Sequence, residues 1–197
     1  MADWIGGNFY LTREQMEMNA TYCYGWLNAN GWSLNAISGM FGNMQTESGI
    51  NPGIWEDLNE GNLNGGFGLT QWTPASKYLD WANERGLDYT QMDSNLMRIE
   101  WEVAEHEQWI STSAYPMSFE EFKTSEADPY TLGMTFLYNY ERPTDLNQPF
   151  RGTQAQEWYK YLSGVDPPDP PGQLHKMPFY FYLKNKNEQN DLIREQV

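Results

Sequence analysis

Ile37, Met40, Met44 and Glu47 are spaced by three, four and three residues. On an α-helix those steps keep all four on one face, so a carboxylate continues an apolar stripe at the helix's last turn. Among apolar side chains a carboxyl group loses the solvation of its charged form, and the negative end of the helix dipole acts in the same sense. Such a group can hold a proton near neutral pH and pass it to a leaving oxygen, as the general acid of glycosidic cleavage does. The same spacing also fits a glutamate splayed into solvent from a frayed helix end.

Glycosidic cleavage usually needs a second carboxylate to stabilise the oxocarbenium-like transition state, attack the sugar or activate water. Downstream of Glu47 the candidates are Glu56, Asp57 and Glu60, all in a turn-rich stretch from Gly49 to Trp72. Glu60 is preferred because it opens the glycine-rich run that leads to Gly66-Phe67-Gly68. Gly65, Gly66 and Gly68 suit a tight hairpin or a close approach of backbone to ligand. A phosphate loop is not expected, since neither its lysine nor the following helix is present. Phe67, Gln71 and Trp72 supply rings and an amide beside the carboxylates, which suits a sugar site.

The elements that must position these groups read mostly as helix. Thr12-x-x-Gln15 forms a capping box for a helix bearing Met16, Ala20, Cys23 and Leu27, which Asn30-Gly31 stops. Ser33 caps the helix that carries Glu47. Thr73-Pro74 should open a third, closed by Gly86, and a longer one should run from about Ser94 to Trp109. Ser118-x-x-Glu121 suggests a short capped helix, and Asp128-Pro129 opens another that ends before Pro143. A last helix is expected from about Thr153 to Leu162, stopped by Gly164. The fold class expected is α+β, mostly α, with a small glycine-rich β-hairpin lobe near the end of the second helix. Residues 1–164 form the expected domain, 165–173 a stiff proline-rich linker and 174–197 an aromatic tail.

Composition narrows the function. The 197 residues carry a formal net charge of −15. A chain this acidic repels phosphate backbones and anionic surfaces, so neither nucleic acid nor membrane is an expected partner. One cysteine, Cys23, makes no intramolecular disulfide, and two histidines give no zinc-ligand spacing, so no metal and no cofactor are expected. The first residues show neither a charged n-region nor an apolar h-region, so no signal peptide is expected.

Together, Glu47-Ser48-Gly49-Ile50-Asn51-Pro52 and Gly66-Phe67-Gly68-Leu69-Thr70-Gln71-Trp72 resemble the lysozyme-like domain of phage tail-tip lysins. Asn43-Met44-Gln45-Thr46-Glu47-Ser48, Tyr140-Glu141-Arg142-Pro143, Asn147-Gln148-Pro149 and Gln154-Ala155 with Trp158-Tyr159 extend the likeness over about residues 10 to 164. Glu47-Ser48 and Gly68-Leu69-Thr70-Gln71 are also similar to motifs of goose-type lysozymes and lytic transglycosylases. Tyr138-Asn139 is similar to a third transglycosylase motif, with Leu137 where that motif has alanine.

The resemblance implies a lysozyme-like fold, Glu47 as the catalytic glutamate, Gln71 in the cleft and Tyr140 along it. It does not choose the second carboxylate, and Asp57 and Glu60 both stand. The implied substrate is bacterial peptidoglycan, cut between N-acetylmuramic acid and N-acetylglucosamine. The implied setting is a virion tail or release from the infected cell, and the aromatic tail reads either as a strap folded back on the core or as a docking peptide for other phage tail proteins. A lytic transglycosylase giving a 1,6-anhydro product is one alternative, and an inactive wall-binding module is another. A cysteine amidase using Cys23 is a third, against which stands that residue's place on an apolar helical stripe.

Overall fold

The computed structural model describes residues 3–168, and the proline-rich linker beyond 168 and the aromatic tail lie outside the described residues. Among the described residues seven α-helices make up the body: α1 Arg13–Ala29, α2 Leu34–Glu47, α3 Ser76–Glu84, α4 Met92–Ala104, α5 Phe119–Thr124, α6 Pro129–Phe136 and α7 Phe150–Leu162. A 3-10 turn, Glu56–Leu58, lies between α2 and α3, and a π-helical turn, Leu137–Glu141, extends α6.

Local chemistry starts these helices where the sequence implies. Thr12 and Gln15 close a full capping box on α1, and Ser118 and Glu121 another on α5. Ser33 accepts from the Ala36 N–H to cap α2, and Asp128 accepts from Thr131 ahead of Pro129 in α6. Each cap satisfies N–H groups that a helix start otherwise leaves orphaned.

Three helices differ from expectation, α7 by starting at Phe150, three residues ahead of Thr153. α3 begins at Ser76 rather than at Pro74, because the Ala75 and Ser76 N–H groups donate to Gly65 and Leu63 carbonyls and pin that stretch to the lobe. α4 ends at Ala104, five residues short of Trp109, where His106 and Gln108 take left-handed φ values of 57° and 63°. Trp109 instead stacks on Phe119 at 4.5 Å in an aromatic cluster with Phe122 and Phe136.

α2 runs through the core. Ile37, Met40, Phe41 and Met44 are fully buried, and the helix packs most extensively on α7 and α6. A methyl group on Gly42 would lie 2.3 Å from the Arg151 carbonyl oxygen and 2.8 Å from the Ala155 nitrogen. Only a residue without Cβ lets α7 come this close.

The expected β-hairpin lobe is not seen. Among the described residues the segment between α2 and α3 makes only isolated bridges, Trp55 to Phe67 and Phe67 to Trp72. Asp57, Leu58, Gly61, Gly68 and Gln71 all have positive φ, which breaks any strand ladder. Side chains take over the backbone's hydrogen bonds: Glu56 Oε2 accepts from Gly66 N at 2.8 Å, and Gln71 Nε2 donates to the Ile54 and Gly68 carbonyls. The domain is therefore helical with an irregular lobe.

Candidate active site

Glu47 closes α2, and Ser48 fixes the exit of the chain. The Ser48 hydroxyl contacts the Met44 carbonyl at 3.1 Å and the Leu69 carbonyl at 2.8 Å, bolting the helix end to the lobe. From the other side Asn95 of α4 accepts the Leu69 N–H at 3.1 Å. Two asparagines tie the N-terminal segment to the same region. Asn19 bonds Ile5 and Ile50, and Asn51 bonds Gly7 and Phe9. Both are fully buried and satisfied, as buried amides must be.

The Glu47 side chain keeps 22% of its surface and stands where two cavities meet. One, of about 340 Å³, is walled by Tyr10, Thr46, Ile54, Trp55, Glu56 and Asp57. The other, of about 220 Å³, is walled by Thr70, Trp72, Lys77, Gln108, Tyr140, Glu141 and Pro143. Glu47, Gln71 and Thr73 border both, so the two form the halves of one cleft.

The apolar stripe holds as far as Met44, but the neighbour of the Glu47 carboxylate is a cation. Arg151 Nη1 lies 2.6 Å from Glu47 Oε1, with the arginine side chain only 5% exposed. Gln148 Oε1 accepts from Arg151 Nε at 2.7 Å and Asn43 Oδ1 accepts from Nη1 at 3.3 Å, which aims the guanidinium.

The remaining sequence candidates divide. Asp57 borders the Glu47 cleft, whereas Glu60 borders a third cavity, of about 310 Å³, that Glu47 does not line. The third candidate, Glu56, reaches the cleft wall but spends an oxygen on the Gly66 N–H. Gln71 lies in the cleft with φ of 49°.

Trp72 and Tyr140 form a floor rather than open platforms, being 4% and 1% exposed. Trp72 Nε1, Arg98 Nε and the Tyr140 hydroxyl all donate to the carboxylate of buried Glu102, at 2.9, 2.9 and 2.6 Å. Burial pushes the Glu102 carboxyl above its ordinary range, and Arg98 with the donated hydrogen bonds opposes that rise. Phe67 belongs to the core, 1% exposed against Trp55, Tyr78 and Tyr89, and it lines the third cavity rather than this cleft.

Three residues that the spacing arguments did not single out complete the site: Arg151, Glu141 and Tyr10. Tyr10 is 72% exposed at the cleft edge and offers a ring for stacking. Cys23 is fully buried, and burial raises its thiol well above the ordinary value, the opposite of what a nucleophile needs. Among the described residues no group of three or more histidine, cysteine or acidic side chains is placed to hold a metal ion. No described helix is long and apolar enough to cross a membrane.

A glutamate thus stands between a helix end and an irregular lobe, on a wall common to two cavities. The sequence model of the phage tail lysozyme family matches residues 18–162, and the chain belongs to that family. It is also 55% identical over 157 residues to Morphogenesis protein 1 of Bacillus phage B103. The aligned part is 80% of this chain and 42% of that protein, so the chain spans about two fifths of that relative's length.

Proposed function

We propose that this chain is a phage peptidoglycan glycosidase of the muramidase type, cleaving the β-1,4 bond between N-acetylmuramic acid and N-acetylglucosamine. The observation that carries the reading is the position of Glu47 on the shared wall of the two cavities. A sugar polymer laid along the cleft presents one linkage to that carboxyl group. Family membership supports the same reading.

Glu47 gives its proton to the glycosidic oxygen as the bond to the anomeric carbon breaks. Asp57, on the same cleft, is the carboxylate offered for the positive charge that develops on the sugar or for activating water. Glu60, the preference from sequence, faces a different cavity. If no carboxylate serves, the sugar's own 6-hydroxyl closes on the anomeric carbon and leaves a 1,6-anhydro end. Delivery to the wall falls to a virion tail or to release at lysis, with other tail proteins as partners.

The test is digestion of purified Gram-positive peptidoglycan by wild type, Glu47→Gln, Asp57→Asn and Glu60→Gln, with mass spectrometry of the fragments. Fragments are expected from wild type and Glu60→Gln and not from folded Glu47→Gln. Their ends separate hydrolysis from anhydro chemistry. Fragments unchanged by Glu47→Gln exclude the mechanism, and none from wild type on several wall types points to a binding module.

A further inference from the structure

Building on that reading of Glu47, we infer that Glu141 is a second carboxyl group of the same centre, a positioning residue that stays protonated on the cleft wall. Glu141 ends the π-helical turn after α6 and lines the 220 Å³ half of the cleft together with Glu47. Its Oε1 is shut off from solvent and has no hydrogen-bond partner among the described residues. Buried oxygens in native proteins are normally paired, because an unpaired one costs the full desolvation of the group. An unpaired acid opening onto a reaction cleft calls for a use.

The charges around it define that use. Glu47 of α2, Arg151 of α7 and Glu102 of α4 act on it electrostatically, with Arg142 next in the chain. Lys77 of α3 lines the same cavity. Burial, and then the negative charge of Glu47, hold the Glu141 carboxyl well above the usual carboxylate range, while Arg151 pulls it down. Two neighbouring carboxyls resist ionising together, so Glu141 keeps its proton where a solvated carboxyl would lose it. Arg151 is engaged by Glu47 Oε1 at 2.6 Å, and Glu141 Oε1 has no hydrogen-bonded cation of its own.

A neutral Glu141 adds no second negative charge to the wall where Glu47 meets the sugar, and its O–H can donate to a hydroxyl laid against that half of the cleft.

Two measurements test the assignment. The infrared difference spectrum of wild type minus Glu141→Gln at neutral pH should show the C=O stretch of a protonated carboxylic acid. Absence of that band overturns the proposal. Glu141→Ala should lower kcat/KM on peptidoglycan about 10-fold more than Glu141→Gln, whose neutral amide donates as a protonated carboxyl does. Glu141→Asp should move the infrared band, and it serves if the glutamine variant does not fold. Equal losses in the alanine and glutamine variants also overturn the proposal. The infrared band does not depend on turnover. A chain that shows the band and cuts no peptidoglycan therefore refutes the glycosidase reading alone.

Discussion

Arg151 Nη1 meets Glu47 Oε1 at 2.6 Å, although the two residues stand on different helices far apart in the chain. The contact exists because α2 and α7 touch backbone to backbone at Gly42, where an added methyl group would lie 2.3 Å from the Arg151 carbonyl. The Glu47–Arg151 pair is thus set by a helix–helix distance as much as by the two residues themselves.

Gly42→Ala should force α7 away from α2 and draw Arg151 off Glu47. Overpacking of this kind costs about 1–3 kcal/mol. Urea denaturation should show that loss, and peptidoglycan turnover at a temperature where the variant is folded should fall with it. Full turnover in a destabilised variant would show that the Arg151–Glu47 distance does not matter.

Tyr140→Phe removes the hydroxyl that donates to Glu102 Oε2 at 2.6 Å, with Trp72 and Arg98 still on the same carboxylate. Hydrogen bonds to charged groups are worth about 1.5–3 kcal/mol, so the midpoint of thermal unfolding should drop by roughly 3–10 °C for a chain of this size. Glu102 is the site of a linked pH effect. Its folded-state pKa is raised, so its contribution to stability is greatest below the unfolded carboxylate value and is lost as pH rises through the folded one. Losing the Tyr140 hydroxyl, which favours the charged form, should steepen that loss across the mildly acidic range, as read by calorimetry against pH.

Tyr10→Ala should leave stability unchanged within about 0.5 kcal/mol, because the ring is 72% exposed. Its role as a stacking platform on the cleft edge should appear as a KM raised about 3- to 10-fold with kcat nearly unchanged. A change in kcat alone would place Tyr10 in the chemistry rather than in binding.

Much of this was legible before any coordinates. The caps at Thr12, Ser33, Ser118 and Asp128 are short-range chemistry, and the helices start there. Glu47 and Gln71 lie in local motifs, and both reach the cleft. The lobe was misread because glycine and asparagine runs signal turns without saying what lies between them. Left-handed Asp57, Leu58 and Gln71, none of them glycine, decide against a hairpin, and no propensity rule marks them. Arg151 was invisible for a different reason. Its partner is chosen by the packing of α7 on α2, and no spacing within the chain encodes that contact. Glu141 sat inside a recognised motif, but only its buried, unpaired oxygen sets it apart.

The cleft continues on both sides of Glu47, into about 340 Å³ one way and 220 Å³ the other. A blind pocket would accept only the end of a strand, whereas a trough with the acid at its middle accepts a strand anywhere along its length. Under the glycosidase reading, such a shape cuts a mesh in its interior, and each cut opens a gap instead of trimming a loose end. The unequal volumes would also give the cut a direction, because the roomier half holds more of the strand on one side of the broken bond than on the other.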